Sequence, residues 1–216
     1  MLFRSRDLTA VAPIGATDNT LVVNAALGPR TLADFIAYVR ARPGAVNYAT
    51  LGVGSTSHLA GAAFDLLADT KMVPVAYRAG ADAMRDLLGG TVQAWFAPIP
   101  SVLEQARSGQ VVAVASTGPA RSAWLPDLPT VSEAAFQGYD VRLWLGLYAP
   151  ASVPADRITL VEQTVSRILA TPEMRRTLEI QGVSPLPMSR ADFDRFMIAE
   201  VARWKAVVDK LGLSAQ

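Results

Sequence analysis

The chain reads as an α/β protein of two lobes, and three observations carry that reading. Short apolar runs alternate with amphipathic helical stretches between residues 21 and 116, the order expected of strand–helix units. Glycines and capping residues punctuate the junctions. After Pro150 the pattern is helical only, with apolar stripes that need a sheet from elsewhere. The fold class these patterns predict is α/β, with C-terminal helices that lack strands of their own.

The elements follow in order. Leu21-Val22-Val23 predicts a short strand. Thr31 with Asp34 three residues on marks a helix start, and Leu32, Phe35, Ile36 and Val39 form its apolar face. Pro43-Gly44 ends it, and Val46 to Thr50 is the next strand. Beyond a glycine loop, a helix is expected to bury Ala60, Ala63, Phe64 and Leu67. Met72 to Tyr77 predicts a strand, then a short helix burying Met84, Leu87 and Leu88 and stopping at Gly89-Gly90. Val92 to Phe96 is a strand. Ser101 and Glu104 spell a capping box for a helix that Gly109 ends. Val111 to Ser116 is a continuous apolar run of the kind found in parallel sheets.

Between Pro119 and Gly138 prolines and glycine break the texture, around a short helix capped by Thr130 and Glu133. Tyr139 to Tyr148 alternates strictly, with Val141, Leu143, Leu145 and Leu147 on one side and Arg142, Trp144 and Gly146 on the other. That length suits a strand passing between lobes. Ile158, Val161, Val165, Ile168 and Leu169 form a helical stripe. Thr171-Pro172 opens a second helix that Gly182 ends. Ser189 with Asp192 opens the last, with Phe193, Phe196, Met197, Val201, Trp204 and Val208 along its inner face.

Composition narrows the function. Half of the 216 residues are hydrophobic and 18% are charged, which fits a globular chain. Net charge is +1 and the basic residues are scattered, so no stripe for a polyanion exists and no nucleic-acid partner is expected. The absence of cysteine excludes disulfides, thiolate zinc sites and cysteine nucleophiles. Met1 to Ser5 match one reading frame of a common sequencing adapter, so natural sequence is expected to begin near Arg6. The export signal is then expected to lie outside the chain as given.

The most informative stretch is Asn47-Tyr48-Ala49-Thr50-Leu51-Gly52-Val53-Gly54-Ser55-Thr56-Ser57-His58-Leu59. It reads as strand, glycine loop and helix start. Such a junction gathers unpaired backbone N–H groups at the positive end of a helix dipole, a favourable place for an anion. It is not a Walker A loop, because no Lys-Ser or Lys-Thr follows the glycines, nor a dinucleotide fingerprint, because Ser57 takes the third glycine position. A tight turn with Thr56 or Ser57 as plain N-cap is equally open on residue chemistry alone. His58 is the sole histidine. It cannot build a multi-histidine zinc site, and no Gly-x-Ser-x-Gly elbow accompanies it, so a hydrogen bond to backbone or ligand is its expected role. Tyr77-Arg78-Ala79-Gly80 and Phe96-Ala97-Pro98 end two further strands, where open α/β sheets present ligand loops. Arg78 could pair with a carboxylate or be a solvated loop arginine. Trp144 could face a cleft or fill a lobe interface. No acidic pair stands out as an acid–base couple.

Asn47-Tyr48-Ala49-Thr50 with Gly52-x-Gly54-x-x-x-His58-Leu59 resembles the ligand loop of the Bug family, the extracytoplasmic solute receptors of tripartite tricarboxylate transporters. Supporting pieces are Asp7-Leu8-Thr9, Leu21-Val22-Val23-Asn24, Asp86-Leu87-Leu88-Gly89-Gly90, Leu128-Pro129-Thr130-Val131-x-Glu133 and Trp144-x-Gly146-x-x-Ala149-Pro150. The resemblance runs from about Asp7 to Leu213, and its order and spacing carry it.

The resemblance implies the two-lobed fold of a periplasmic binding protein, the type II Venus flytrap, with one lobe incomplete, and a periplasmic, monomeric receptor that captures a small organic carboxylate for membrane permease subunits, with no cofactor, no metal and no catalysis. It implies residues 18–140 as a complete lobe and residues 141–216 as a crossover strand and helices of an incomplete one. Residues 1–17 are a residual N-terminal segment, and the rest of that lobe belongs to a missing N-terminal part. The implied ligand set is Thr50, Gly52, Gly54, Ser55, Thr56, Ser57, His58, Tyr77, Arg78, Ala97 and Trp144. Val75-Ala76-Tyr77-Arg78-Ala79 departs from the family's usual Val-Pro-Tyr-x-Gly, and Ala97 stands where the family often has a polar residue. A carboxylate-sensing effector module and a hydrolase or transferase using His58 as base are the competing readings. The C-terminal helices are expected to expose a contiguous apolar patch, and the chain alone to aggregate or be partly molten.

Overall fold

The computed structural model describes residues 7–186 and 188–211, the last two as backbone alone. Met1 to Ser5, expected to be foreign, lie outside the described residues, as does Leu213. The chain divides into two compact units, one on Asp18–Leu143 and the other on residues up to Thr17 together with residues from Trp144. We call them the sheet unit and the helical unit.

The sheet unit is ordered by β1 (Leu8–Asn24), whose second half lies in it. With β2 (Asn47–Thr50), β3 (Val73–Ala76), β4 (Ala94–Pro98) and β5 (Val111–Ser116), it forms a sheet in the order β3-β2-β4-β1-β5. β2 runs parallel to β3 and β4, and β1 runs antiparallel to β4 and β5. The expectation of a parallel environment for Val111–Ser116 is thus corrected, since its ladder partner is the reversed β1. Its apolar run reflects burial, with Val111, Val114 and Ala115 inaccessible. β1 also corrects the short strand expected at Leu21–Val23. Alanine, glycine and threonine upstream gave no alternation to read, yet they pair along 17 residues.

Helices cover both faces. α1 (Leu32–Arg40) buries Leu32, Phe35, Ile36 and Val39, with Thr31 Oγ1 accepting from the Asp34 amide as its N-cap. α2 (Thr56–Ala68) packs Phe64 between Phe35, Phe96 and Phe136, with ring centroids 5.8–6.0 Å apart. Its buried face is rotated from the expected one: Leu67 is 52% exposed, and Gly61 and Ala62 are buried instead. The reason is Tyr48, whose ring occupies the space beside Gly61, so that only a residue without Cβ can sit there. α3 (Gly80–Leu88) and α4 (Ile99–Arg107) close the opposite face over Val22, Ala49, Trp95, Ala97 and Val102. α3 buries Ala83 and Leu87, whereas Leu88, expected inside, is exposed. Ser101 does not cap α4, whose N-cap lies three residues earlier at Pro98, with Pro100 in its first turn. α5 (Val131–Ala134) carries the Thr130–Glu133 capping box.

The helical unit holds the first half of β1, paired with β6 (Arg142–Pro150) and with β7 (Ser184–Pro185). β6 crosses the division between Leu143 and Trp144. α6 (Ala155–Leu169), α7 (Pro172–Ile180) and α8 (Arg190–Leu211) complete it. Phe193, fully buried, centres an aromatic cluster with Trp144, Tyr148 and Phe196 at 5.6–6.4 Å, and Gly146 makes room for its ring. Only Ile158 of the α6 stripe is buried, while Val161 and Ile168 are exposed. Val201, placed on the inner face of α8 by its spacing, is also exposed, and Glu200 points inward to Arg203 and to the Trp204 indole.

Asp18 is a cost in the sheet unit. Its carboxylate packs against Gly118, and burial pushes its pKa up to about 6 despite Arg142, with Asp140 adding to the rise. Arg142 is forked onto Asp140 at 2.7 Å. A carboxyl raised this way favours the folded state while protonated and loses that benefit as pH rises from about 4 through about 6.

Two outcomes follow for stability. Asp18→Asn raises unfolding stability at pH 7 by on the order of 1–2 kcal/mol, a gain that vanishes near pH 4 in denaturant titrations. Gly61→Ala lowers it by about 1–3 kcal/mol through overpacking on Tyr48, although alanine is the better helix former. A higher melting point for Gly61→Ala would show that the Tyr48 ring yields freely.

Candidate functional site

The parallel strands β2, β3 and β4 all end at one edge of the sheet, so the loops after Thr50, Ala76 and Pro98 emerge together. The Tyr77 amide donates to the Thr50 carbonyl at 2.8 Å, which ties the second loop to the first. The first loop is the strand–turn–helix picked out by sequence. Gly52 (φ 106°) and Gly54 (φ 78°) adopt left-handed backbone, which glycine alone takes at no steric cost.

Hydrogen bonds within this turn account for about half of its donors. The Leu51 amide donates to Ser57 Oγ at 3.0 Å, Gly54 to His58 Nδ1 at 3.1 Å, and Ser55 to the Gly52 carbonyl at 3.2 Å. Ser55 is the N-cap of α2: its Oγ accepts from the His58 amide at 3.3 Å and donates to the Gly52 carbonyl at 2.7 Å. Ser55 Oγ and Ser57 Oγ also lie 3.0 Å apart. What remains, without a partner among the described residues, is the set of amides of Gly52, Val53, Thr56 and Ser57 with the Thr56 hydroxyl. They gather at the positive end of a 13-residue helix.

The structure therefore redistributes roles within the sequence-derived set. The Ser55 and Ser57 hydroxyls, expected to face a ligand, are used inside the turn, and Ser57 is 2% exposed. The Thr50 hydroxyl is buried and aims at the Val75 carbonyl. His58 is buried, and burial lowers its pKa below the ordinary histidine value, so the ring is neutral with Nδ1 as acceptor. That nitrogen serves a backbone amide, not a hydroxyl, so no histidine–serine nucleophile pair is assembled here. Tyr77 donates its hydroxyl to Asp86 at 3.0 Å. Arg78 is exposed and makes no ion pair among the described residues. Ala97 is corrected as a contact residue: it is fully buried among Val22, Trp95 and Val102. Trp144 belongs to the helical unit and packs on Phe196 at 5.7 Å.

Sequence reasoning missed three polar residues at the same edge. Asn19, Thr20 and Ser116 are fully buried, and the Asn19 side-chain carboxamide and both hydroxyls have no partner among the described residues. Asn19 stands opposite Pro98, and Thr20 lies between Ala97 and Ser116. The available signal was the polar pair directly ahead of Leu21-Val22-Val23. Among the described residues no group of three or more histidine, aspartate or glutamate side chains converges as a metal set.

Known proteins are similar to this chain in sequence and in structure. The family model described as tripartite tricarboxylate transporter family receptor matches residues 1–213. The protein BugT of Bordetella pertussis is 31% identical over 206 residues, covering 95% of this chain and 63% of its own length. A protein encoded in the tcbD-tcbE intergenic region of Pseudomonas sp. is 26% identical over 211 residues, covering 97% of this chain and 63% of its own. The chain thus spans under two thirds of these curated relatives. Among solved structures, R. palustris Rpa4515 with adipate is similar at a TM-score of 0.84 and 31% identity, over 96% of this chain and 70% of that one. MatC from Rhodopseudomonas palustris with bound malate gives 0.80 and 26%, over 93% and 69%.

The hydrogen-bond accounting separates building residues from presenting ones. Ser55→Ala removes the cap of α2 and costs about 1–2 kcal/mol in thermal or denaturant unfolding, most of it restored in Ser55→Asp. Thr56→Ala, at a hydroxyl without a partner, shifts stability by less than about 0.5 kcal/mol. Equal destabilisation by the two would contradict the division.

Proposed function

This chain belongs to the tripartite tricarboxylate transporter receptor family, and on that premise we propose that it captures a small organic carboxylate without altering it. The one observation that carries the reading is the turn at residues 51–58, where four backbone amides and the Thr56 hydroxyl are left without acceptors at a helix N-terminus. An ionised carboxylate has the two acceptor oxygens that such a donor set takes, and a neutral solute would gain less from the dipole. Relatives solved with adipate and malate support the same class. In this reading Thr56 and the amides of Gly52, Val53 and Ser57 bind the carboxylate, the Tyr77 ring flanks it, and Arg78 adds positive charge from the neighbouring loop. The full protein works as a monomeric receptor in the periplasm and presents its ligand to membrane permease subunits. No step needs a metal or cofactor. Catalysis by His58 is disfavoured, because the ring nitrogen facing the turn is occupied by Gly54.

Calorimetric titration of the full-length protein against mono-, di- and tricarboxylates tests the proposal, with the diamide of adipic acid as neutral control. Micromolar binding of at least one carboxylate and none of the diamide is the expected result. Charge-assisted hydrogen bonds contribute about 1.5–3 kcal/mol each, so Thr56→Val weakens that ligand by roughly tenfold or more. Equal binding of acid and diamide, or an unchanged affinity in Thr56→Val, would remove the turn from the site.

A further inference from the structure

We infer that His58 is the positioning residue of the carboxylate turn, and that its neutral imidazole makes solute capture proton-sensitive. The inference rests on the receptor reading for its consequence, though not for its geometry.

Three bonds hold His58 in place. Its Nδ1 accepts from the Gly54 amide at 3.1 Å, its own amide donates to Ser55 Oγ at 3.3 Å, and its carbonyl accepts from the Tyr48 hydroxyl at 3.3 Å. The residue is 5% exposed, so the side chain has little room to turn away. As acceptor, Nδ1 must be unprotonated, which places the ring proton on Nε2. A proton added at Nδ1 would set two donors face to face. Gly54 would then leave the left-handed conformation (φ 78°) that the turn requires. Val53, whose amide is one of the four unclaimed donors, is joined to Gly54, so this bond anchors the residue next to it.

The surroundings leave the ring neutral. Burial lowers its proton affinity, and His58 has no ion-pair partner among the described residues. From β2 it meets Tyr48, whose phenol burial keeps protonated, with Asp65 at the far end of α2 acting in the same sense. A competing effect has the opposite sign: an imidazolium beside a bound carboxylate would attract it. The direction of the pH profile decides between the two.

The test uses the full chain, isotopically labelled, with adipate as the probe. In the free protein the Gly54 amide resonance shifts with the imidazole, at a midpoint below about 6.5. Adipate affinity falls from pH 7 toward pH 5 by more than protonation of adipate itself accounts for, as a turn that loses its acceptor requires. His58→Asn, whose Oδ1 can take the place of Nδ1, recovers affinity at pH 7 to within about threefold and leaves only the pH dependence of adipate's own carboxyls, whereas His58→Leu loses more than about tenfold. A Gly54 amide indifferent to imidazole titration overturns the inference. So does an affinity that rises as His58 protonates, which would make the ring a counter-ion. If no carboxylate binds while Gly54 still follows the imidazole, the receptor reading fails and the positioning role stands. Should His58→Leu not fold, the wild-type titration and His58→Asn decide alone.

Discussion

An α-helix cannot satisfy its own first amides, and the rest of this site depends on how the chain meets that constraint at α2. Ser55 closes part of the deficit by accepting from the His58 amide, while Ser57 and His58 accept from the Leu51 and Gly54 amides of the loop ahead of the helix. The remaining donors stay open because two glycines in left-handed conformation hold the backbone where no carbonyl can reach them. The turn at residues 51–58 is thus held by its own side chains, with part of its backbone N–H set left over. Its support extends downward: Tyr48 bonds the His58 carbonyl from the sheet, and Gly61 admits the Tyr48 ring against the helix. The geometry of the turn and the packing of the core are therefore linked through one tyrosine.

The sheet places this turn beside two others. Because β2, β3 and β4 are parallel, their exits share an edge, and because β1 is reversed, it brings Asn19 and Thr20 to that edge from the opposite direction. Polar groups so deeply buried normally find water or a partner, since leaving them unmet costs about 1–3 kcal/mol each. Asp18, next to them, is a titratable group in the same strand, held between Gly118 and the Asp140–Arg142 fork. Polar chemistry in the sheet unit is concentrated at one end, while the interior around Phe64, Phe96 and Trp95 is apolar. The helical unit shows the opposite economy. It has a compact aromatic centre at Phe193, yet Leu160, Val161, Ile168 and Ile180 stay exposed on its helices.

Much of this was legible in the residues. Helix α1 was read to its four buried side chains, because Thr31, Asp34 and the apolar spacing are all local signals. The Thr130–Glu133 box and the Gly52–Gly54 loop were local in the same way. Errors arose where a neighbour distant in sequence decided. Leu67 turned outward because Tyr48 claimed the space at Gly61, Ser101 yielded its capping role to a helix already started on Pro98, and Val111–Ser116 met a reversed strand that its apolar run could not announce. Ala97 sits at a strand end in the sequence, but α3 and α4 cover it.

Alone, the sequence determined the fold class, the positions of most helices and the glycine turn ahead of α2, because capping, periodicity and glycine backbone freedom act over a few residues. Only the tertiary structure decided which donors that turn keeps for a ligand. The Ser55 and Ser57 hydroxyls and the His58 ring find their partners only when residues 51–58 curl onto themselves over Tyr48. Hydrogen-bond satisfaction belongs to the folded arrangement of donors and acceptors, and a list of residue types does not fix it.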